Sequence, residues 1–379
     1  MAHPMDDVWF WQSIVSPHMM GLAVSLARMG CKVTYVAEQA LSADRMALGW
    51  QLLTHDGVRL CFATELSGIQ ALVNEADSRS VHVCQGVRGN GHVAVAQQLL
   101  AQRRLRQWVV METVDDAGAK GLLKRLEYTR LFRLLRTRIE GVLATGYRTA
   151  SWVVARGMPA ERVFPFAYFL AEPDLLPIDA ALDRRSRPFR FIYVGQLIER
   201  KRFDLLVRTL STLGDGAFEL WVVGSGPLEK VLRAEAEAAL AGRVRWFGRK
   251  PSSEISTLIA DTDCLVLPSR YDGWGSVVSE ALMVGTPAIC SEACGAAGVV
   301  RASGVGGVFP THDPQALRGR LEMALQRGVV ESAERAAIAR WASALGGAAG
   351  ATYLLQILRG SRPLPPWNVG AACEWGDES

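Results

Sequence analysis

The sequence lacks the features that define several broad classes of protein. Its seven cysteines include no CxxC pair, which favours reduced thiols over a zinc site or a disulfide framework. No stretch approaches the roughly 18 uninterrupted apolar residues of a membrane span, and the N-terminal segment has no basic region typical of a signal peptide. A formal net charge of +4 is too small to indicate a nucleic-acid partner. We therefore expect a cytoplasmic protein whose membrane contact, if any, is peripheral.

Short apolar runs alternate with helical stretches along most of the chain. A hydrophobic content of 49% and 379 residues predict a globular protein with two domains. A helix that ends at glycine and is followed by a β-branched run is typical of βαβ units in a parallel sheet. The predicted strands are 8–12, 31–37, 58–63, 81–84, 107–112 and 141–145 in the first half, and 189–196, 218–226, 244–248, 263–269 and 286–292 in the second.

The alternation lapses in a segment rich in proline and charge, residues 171–188, which predicts a linker. We expect an N-terminal Rossmann-like domain over 1–170 and a C-terminal one over 189–345. Residues 346–379 are predicted to form a helix and a tail that cross back to the N-terminal domain. Two doubly wound domains imply a cleft faced by the carboxyl ends of the strands, where such sheets bind ligands. No GxGxxG follows the first strand of either half, which disfavours an NAD enzyme.

Residues 271–280 read YDGWGSVVSE and connect a predicted strand to a predicted helix. The N–H groups of Gly275, Ser276 and Val277 lie at the helix start, an arrangement that binds anions. Glu280 lies one turn further along the face of Ser276, and its carboxylate can accept hydroxyl hydrogen bonds. Together, Asp272 and Glu280 are suited to hold the two ends of a sugar nucleotide. The same pattern also fits an ordinary turn with an Asp cap and a solvated Glu.

Three further turns carry glycines or cations at the same predicted sheet edge. Gly195 opens GQLIERKRFDLL, and the cations at 200–202 suit a diphosphate, although a solvated basic turn would look the same. Gly224 lies in VVGSGP, a weak signal alone. Two cations at 249–250 follow the next strand.

The ordered series GQLxxxK, VVGSGP, VRWFG, DCLVLPS, DGWG and EALMVGTPAI resembles the C-terminal domain of family-4 retaining glycosyltransferases, over roughly residues 189–310. The resemblance implies an α/β GT-B fold of two Rossmann-like doubly wound domains. Asp272 and Glu280 match the spacing of the family's E-x7-E motif, in which the second acid holds the ribose and the first faces the donor sugar. Lys201 would neutralise the diphosphate. The implied donor-binding residues are Gly195, Gln196, Arg200, Lys201, Gly224, Arg249, Gly273, Trp274, Gly275, Ser276, Val277 and Glu280.

Two positions depart from the family pattern. Asp272 is one methylene shorter than the usual Glu, so its contact with the sugar can differ. Gln196 stands where the family usually has Arg, and it brings no charge. Arg200 or Arg202 can supply that charge instead; otherwise the activity is weakened.

The N-terminal half resembles the family more loosely. His18 lies in the loop SIVSPH after the first predicted strand, and Glu112 follows a strand where related enzymes place a His or Asp near the reacting carbon. We predict Asp272, Lys201, Glu112 and His18 as catalytic residues. The alternatives are a structural histidine and a carboxylate that caps a helix or pairs with a cation. His82 and His92 flank the loop QGVRGNG and are weaker candidates.

Residues 120–138 contain seven Lys or Arg, one acid and leucines at near-helical spacing. Such a basic amphipathic helix is suited to an anionic membrane surface. It is equally typical of a core-facing helix with a solvated basic face. The leucines concerned are Leu123, Leu126, Leu131, Leu134 and Leu135.

The resemblance implies a metal-independent, retaining hexosyltransferase without a cofactor. We expect it in the cytoplasm, either free or peripherally attached to the inner face of the plasma membrane. The donor would be a nucleotide-sugar, a UDP-sugar, and the acceptor a saccharide or lipid-linked saccharide in bacterial surface polysaccharide synthesis. No DxD motif lies where a metal would be needed, and the acids at 261 and 263 precede a buried strand. The alternatives are a nucleotide-sugar epimerase or hydrolase of the same fold, or a non-catalytic binding protein, which Gln196 favours.

Overall fold

The computed structural model describes residues 6–40, 56–172, 186–214 and 218–372. These residues form two compact units. The first draws its described residues from Met1–Met46, Leu52–Ala171 and Gly346–Pro366, and the second from Glu172–Leu345 and from Trp367 onward. Most of the predicted linker, residues 173–185, and the end of the predicted tail, residues 373–379, lie outside the described residues.

The first unit is built on a seven-stranded sheet in the order β3-β2-β1-β4-β5-β6-β7, with every described neighbouring pair parallel. One of its inner strands, β1, reads DVWFWQSI, and the run Val8–Trp11 is fully buried because helices cover both faces of a parallel sheet. The strands are β1 (Asp7–Ile14), β2 (Lys32–Gln39), β3 (Val58–Phe62), β4 (Val81–Gln85), β5 (Arg106–Glu112), β6 (Gly141–Thr145) and β7 (Val163–Phe166). The helices between them are α1 (Pro17–Arg28), α2 (Leu66–Glu75), α3 (His92–Gln102), α4 (Gly118–Leu135) and α5 (Thr149–Val154).

The second unit contains a six-stranded parallel sheet in the order β10-β9-β8-β11-β12-β13. Its core is formed by apolar side chains of the central strands and of the helices packed on them, including Phe191, Leu206 and Leu240. The strands are β8 (Phe189–Val194), β9 (Phe218–Val223), β10 (Val244–Gly248), β11 (Cys264–Leu267), β12 (Ala288–Ser291) and β13 (Gly306–Phe309). The helices are α6 (Phe203–Leu210), α7 (Glu229–Leu240), α8 (Ser252–Ala260), α9 (Ser276–Met283), α10 (Ala297–Ser303), α11 (Pro314–Arg327) and α12 (Ser332–Ala342).

Two edge strands were not predicted from the sequence. Strand β7 reads VFPF, and its proline is tolerated because the strand lies at the edge of the first sheet. Strand β13 reads GGVF at the edge of the second sheet, where two glycines weaken the strand signal. In both cases the pairing partner, rather than the local sequence, makes the segment a strand.

The last helix, α13 (Gly347–Leu358), belongs to the first unit and packs against α1. Small residues allow this close approach. A Cβ on Gly347 would lie 2.3 Å from the Ser25 Oγ, and a Cβ on Gly350 would lie 2.2 Å from the Phe169 Cγ. The chain then continues into the second unit, where the Trp341 indole donates to the Gly370 carbonyl at 2.6 Å.

We predict that Gly350→Ala lowers the free energy of unfolding by about 1–3 kcal/mol, because the added methyl group overlaps the Phe169 ring. Urea unfolding followed by tryptophan fluorescence measures this change. Gly319→Ala is the matched control: it also lies within a helix, has no atom within 4 Å of the added Cβ, and should gain about 0.5–1 kcal/mol. Equal effects of the two substitutions would contradict the proposed packing.

Candidate functional site

The predicted donor-binding residues of the second unit lie in turns that each follow a strand. Because these strands are parallel, the turns lie together at the carboxyl edge of the sheet. Residues 195–202 follow β8, residues 224–228 follow β9, and residues 268–275 follow β11. The last of these contains the segment DGWG, residues 272–275, which we call the DGWG turn.

Two of these turns pack main chain against main chain. Gly224 has φ of +135°, and a Cβ there would lie 1.9 Å from the Gly195 carbonyl oxygen. The Leu197 N–H donates to the Ser225 carbonyl at 3.0 Å. Glycine at 224 is therefore required by the close approach of the neighbouring turn.

An ion pair connects the turn after β8 to the DGWG turn. The Lys201 Nζ lies 2.5 Å from the Asp272 Oδ2, and each side chain is 13% exposed. Arg200 lies beside this pair, since its Nη1 is 4.0 Å from the Asp272 Oδ1 and donates to the Tyr271 carbonyl at 2.6 Å. The two predicted catalytic residues of this unit are thus in direct contact.

The other residues predicted to bind a diphosphate are placed differently. Arg202 lies 3.7 Å from Asp204, on the following helix. The Gln196 carbonyl accepts a hydrogen bond from the Tyr193 hydroxyl at 2.8 Å, which fixes the main chain at the start of the turn. Arg249 donates through Nε to the Ser225 Oγ and is exposed.

Main-chain hydrogen bonds join the DGWG turn to the turn after β12. The Asp272 N–H donates to the Ala293 carbonyl at 3.1 Å, and the Gly295 N–H donates to the Asp272 carbonyl at 3.0 Å. The Ala296 N–H donates to the Trp274 carbonyl at 2.8 Å. The second turn, residues 293–296, therefore fixes the shape of the first. Sequence reasoning did not identify it, although its small residues directly after a strand were a signal.

The contact between these two turns leaves no room for side chains. A Cβ on Gly295 would lie 2.0 Å from the Gly273 carbonyl oxygen. Gly275 has φ of +83°, and a Cβ there would lie 2.7 Å from the Cys294 Sγ. The same Cys294 thiol donates to the Trp274 carbonyl at 3.0 Å. Because the Trp274 side chain is buried and its indole donates to Ser279 at 3.1 Å, this residue presents main chain rather than its ring at the turn.

Helix α9 begins at Ser276, directly after Gly275 in the left-handed conformation. Its first N–H groups therefore lie at the end of the DGWG turn that contains Asp272. Glu280 lies one turn further along and is partly buried. Burial disfavours its carboxylate and raises the pKa of Glu280 to about 7, and a hydrogen bond from Ser276 opposes part of that rise. This carboxyl group consequently changes charge near neutral pH.

A second cluster lies in the first unit. Glu112 is the last residue of β5, and its Oε1 accepts a hydrogen bond from the Tyr168 hydroxyl. The Tyr168 ring also stacks on the His18 imidazole, with centroids 5.2 Å apart. The structure thus brings together the two predicted catalytic residues of this half through Tyr168. The sequence analysis did not identify Tyr168, although it carries the only hydroxyl group in the apolar run FAYFL and could have been noticed for that reason.

The two weaker histidine candidates differ in their surroundings. His82 lies in the core, where Nδ1 accepts from the Trp11 indole at 3.1 Å and Nε2 lies 2.8 Å from the Ser80 Oγ. Burial lowers the pKa of His82 to about 3, so the ring is neutral at physiological pH. Its role is therefore to pack in the core. His92 is also buried, with Nδ1 at 3.0 Å from the Glu38 Oε1 at the start of α3.

The acid at 263, predicted to be structural, is fully buried. Asp263 accepts hydrogen bonds from Arg187 at 2.7 and 3.1 Å and from the Arg190 N–H at 2.8 Å. Among residues 6–40, 56–172, 186–214 and 218–372, no three His, Cys, Asp or Glu side chains are grouped so that they could hold a metal ion.

Helix α4 of the first unit covers most of the predicted basic segment. Tyr128 and Phe132 face the core, and Leu131 and Leu135 pack beside them. The side chains with 53–68% exposure are Leu122, Leu123, Leu126 and Leu134. Its acid, Glu127, is paired with Arg88, and Arg125 is paired with Asp116. The exposed surface combines these leucines with exposed cations such as Lys120, Arg130 and Arg133. Within the described ranges, no helix combines the length and apolar character needed to cross a bilayer.

The match to a known protein family falls within the second unit. Residues 177–340 match the family model described as glycosyl transferases group 1. The amylovoran biosynthesis glycosyltransferase AmsK of Erwinia amylovora is 29% identical over 174 residues, 44% of this chain and 42% of that protein. The 2-deoxystreptamine glucosyltransferase of Streptomyces kanamyceticus is 28% identical over 220 residues, 55% of this chain and 52% of that protein. The chain thus spans about half the length of these curated relatives.

The fold extends further than the sequence similarity. The crystal structure of Anabaena HepE in complex with UDP aligns with a TM-score of 0.70 at 16% identity, covering 94% of this chain and 100% of that chain. The prediction of two Rossmann-like doubly wound α/β domains of the GT-B type is confirmed.

We predict that Glu280→Gln removes a pH dependence of stability. Because the pKa of Glu280 is raised from 4.5 to about 7, the folded state binds this proton more tightly than the unfolded state does. The resulting stabilisation, at most about 3 kcal/mol, is complete below pH 4.5 and is lost as pH rises through 7. Urea unfolding at a series of pH values should show this slope in the wild type and a shallower slope in the variant. Identical slopes would contradict the burial of the Glu280 carboxyl group.

Proposed function

We propose that the protein is a retaining glycosyltransferase with a nucleotide-sugar donor, and the match of residues 177–340 to the family model of group 1 glycosyl transferases supports this proposal. The observation that carries the proposal is the Lys201–Asp272 pair, held beside the start of α9. A cation, a hydroxyl-binding carboxylate and a helix N-terminus are together suited to bind a sugar diphosphate.

The diphosphate would bind between Lys201 and the first N–H groups of α9. As the bond from the anomeric carbon to the diphosphate oxygen breaks, negative charge grows on the departing diphosphate. The Lys201 ammonium has three donors, so it can bind a phosphate oxygen while it remains paired with Asp272. These groups supply the charge stabilisation that a divalent metal provides in other enzymes, which supports a metal-independent reaction.

The two acids would hold opposite ends of the donor. Glu280 lies inside α9, where its carboxylate can accept hydrogen bonds from both ribose hydroxyls. Asp272 lies at the other end of the turn and would accept from hydroxyls of the transferred sugar. UDP is the nucleotide we propose, supported by the similarity in fold to HepE, whose structure contains UDP.

The acceptor we propose is a saccharide or lipid-linked saccharide of bacterial surface polysaccharide synthesis. The similarity to the amylovoran glycosyltransferase of Erwinia amylovora supports this class. The exposed leucines and cations of α4 support an acceptor at the inner face of the plasma membrane, where the basic side chains would contact anionic headgroups.

A non-catalytic nucleotide-sugar-binding protein is the second candidate, because Gln196 brings no charge to the position where the family usually has Arg. Its expected signature is UDP-sugar binding without transfer. An epimerase or hydrolase of the same fold would instead invert or release the sugar without an acceptor.

We predict that Glu280→Ala weakens UDP binding by about 10- to 100-fold, because a hydrogen bond to a charged group is worth about 1.5–3 kcal/mol. Asp272→Ala should retain UDP affinity, since Lys201 is then no longer paired, and lose sugar transfer. Calorimetric titration with UDP and with UDP- and GDP-sugars measures affinity, and labelled sugar incorporated into a membrane lipid extract measures transfer.

Asp204→Ala is the control for these variants, because that carboxylate pairs with cations of its own helix region and should change neither quantity more than twofold. Wild-type behaviour of both Glu280→Ala and Asp272→Ala would refute the donor site. If none of the nucleotide-sugars bound, the proposal that the protein is a glycosyltransferase would be refuted.

We predict that removing four exposed cations of α4 and its C-terminal turn, by changing Lys120, Arg130, Arg133 and Arg136 to Gln, reduces sedimentation with anionic liposomes. Each lost cation near such a surface weakens binding by about 1 kcal/mol. UDP affinity should be unchanged, because that site lies in the second unit.

The charge-matched control changes four exposed cations elsewhere in the chain, Arg28, Arg79, Lys230 and Arg340, to Gln. It has the same net charge as the α4 variant and should still sediment with liposomes. If both variants or neither lost liposome binding, α4 would not be the membrane-contacting surface.

A further inference from the structure

Three side chains from distant parts of the sequence meet at the carboxyl edge of the first sheet. Glu112 ends β5, Tyr168 follows β7, and His18 lies in the first turn of α1. The strand register places Glu112 level with Thr145 of β6 and Thr145 level with Phe166 of β7. The Tyr168 hydroxyl therefore reaches across β6 to the Glu112 carboxylate.

Tyr168 is set apart from its neighbours in sequence. The residues around it, 166–167 and 169–170, are buried in the core, whereas Tyr168 is partly exposed. Its ring lies at 21° to the His18 imidazole and stacks on it, and its hydroxyl donates to Glu112. One side chain consequently fixes two of the predicted catalytic groups, and all three are accessible at the edge of the sheet.

The hydrogen bond from the Tyr168 hydroxyl restricts the rotation of the Glu112 carboxylate. A carboxylate has about four acceptor positions and can receive further hydrogen bonds beside that of Tyr168. An oriented carboxylate that shares a tyrosine with an imidazole is suited to a ligand rich in hydroxyl groups.

We propose that Tyr168 is a positioning residue of the acceptor site, where it holds Glu112 so that this carboxylate receives the hydrogen bond of a saccharide hydroxyl. The inference rests on the proposed glycosyl transfer. It assigns the cluster to the acceptor rather than the donor because the groups suited to a sugar diphosphate, Lys201, Asp272 and Glu280, all lie in the second unit.

The test compares Tyr168→Phe with Tyr353→Phe. Both substitutions remove one tyrosine hydroxyl of the first unit that donates a hydrogen bond, in the control to the Pro165 carbonyl at 2.9 Å. Transfer is measured with labelled UDP-glucose, UDP-galactose and UDP-N-acetylglucosamine and a bacterial membrane lipid extract. UDP affinity and melting temperature are measured on the same samples.

We expect Tyr168→Phe to keep UDP affinity within twofold and to lower kcat at least tenfold. The loss of kcat without a loss of UDP affinity separates a positioning role from a general structural one. Tyr353→Phe should leave kcat unchanged, even where its melting temperature falls as much. Transfer by Tyr168→Phe within twofold of wild type would overturn the inference.

A double-mutant cycle tests whether Tyr168 acts through Glu112. If it does, Tyr168→Phe should have no further effect in a Glu112→Gln background. Fully additive losses would overturn the positioning role. Absence of transfer by the wild-type chain with every donor would instead overturn the proposed function, and this inference would fall with it.

Discussion

The main-chain hydrogen bonds between the DGWG turn and residues 293–296 are the constraint on which the candidate donor site depends. A turn with two glycines would otherwise sample many conformations, because glycine loses more freedom on folding than any other residue. Here the neighbouring turn accepts and donates along its length, and the space between them excludes even a Cβ. The start of α9 and the Asp272 carboxylate are therefore placed before a ligand arrives, which lowers the entropic cost of binding.

The same placement determines which charged side chains of the candidate site have a partner of opposite charge. Lys201 and Asp272 are mostly buried, and each compensates the charge of the other, so neither is left unpaired in a site with little solvent. For Glu280 the dominant influence is burial, which raises its pKa to about 7 against the opposing hydrogen bond from Ser276. The candidate site thus combines a paired lysine and aspartate with one carboxyl group that titrates near neutrality.

The cluster of the first unit is built differently, because its three residues do not come from one short sequence motif. His18, Glu112 and Tyr168 are far apart in sequence and meet only because their strands end at one edge of a parallel sheet. Their contacts join side chains, whereas the candidate donor site combines the Lys201–Asp272 side-chain pair with main-chain groups of two turns.

The sequence by itself determined the alternation of strands and helices, the glycine turns and the identity of the acids, since local spacing and apolar periodicity encode these features. The similarity of residues 177–340 to group 1 glycosyl transferases was also predictable, because DGWG and its neighbouring motifs occur in a fixed order. The pairing of Lys201 with Asp272 was not, and neither were the two edge strands. Tertiary structure alone decided these, together with the contact of Tyr168 with Glu112, because each depends on which strands lie side by side rather than on residues near in sequence.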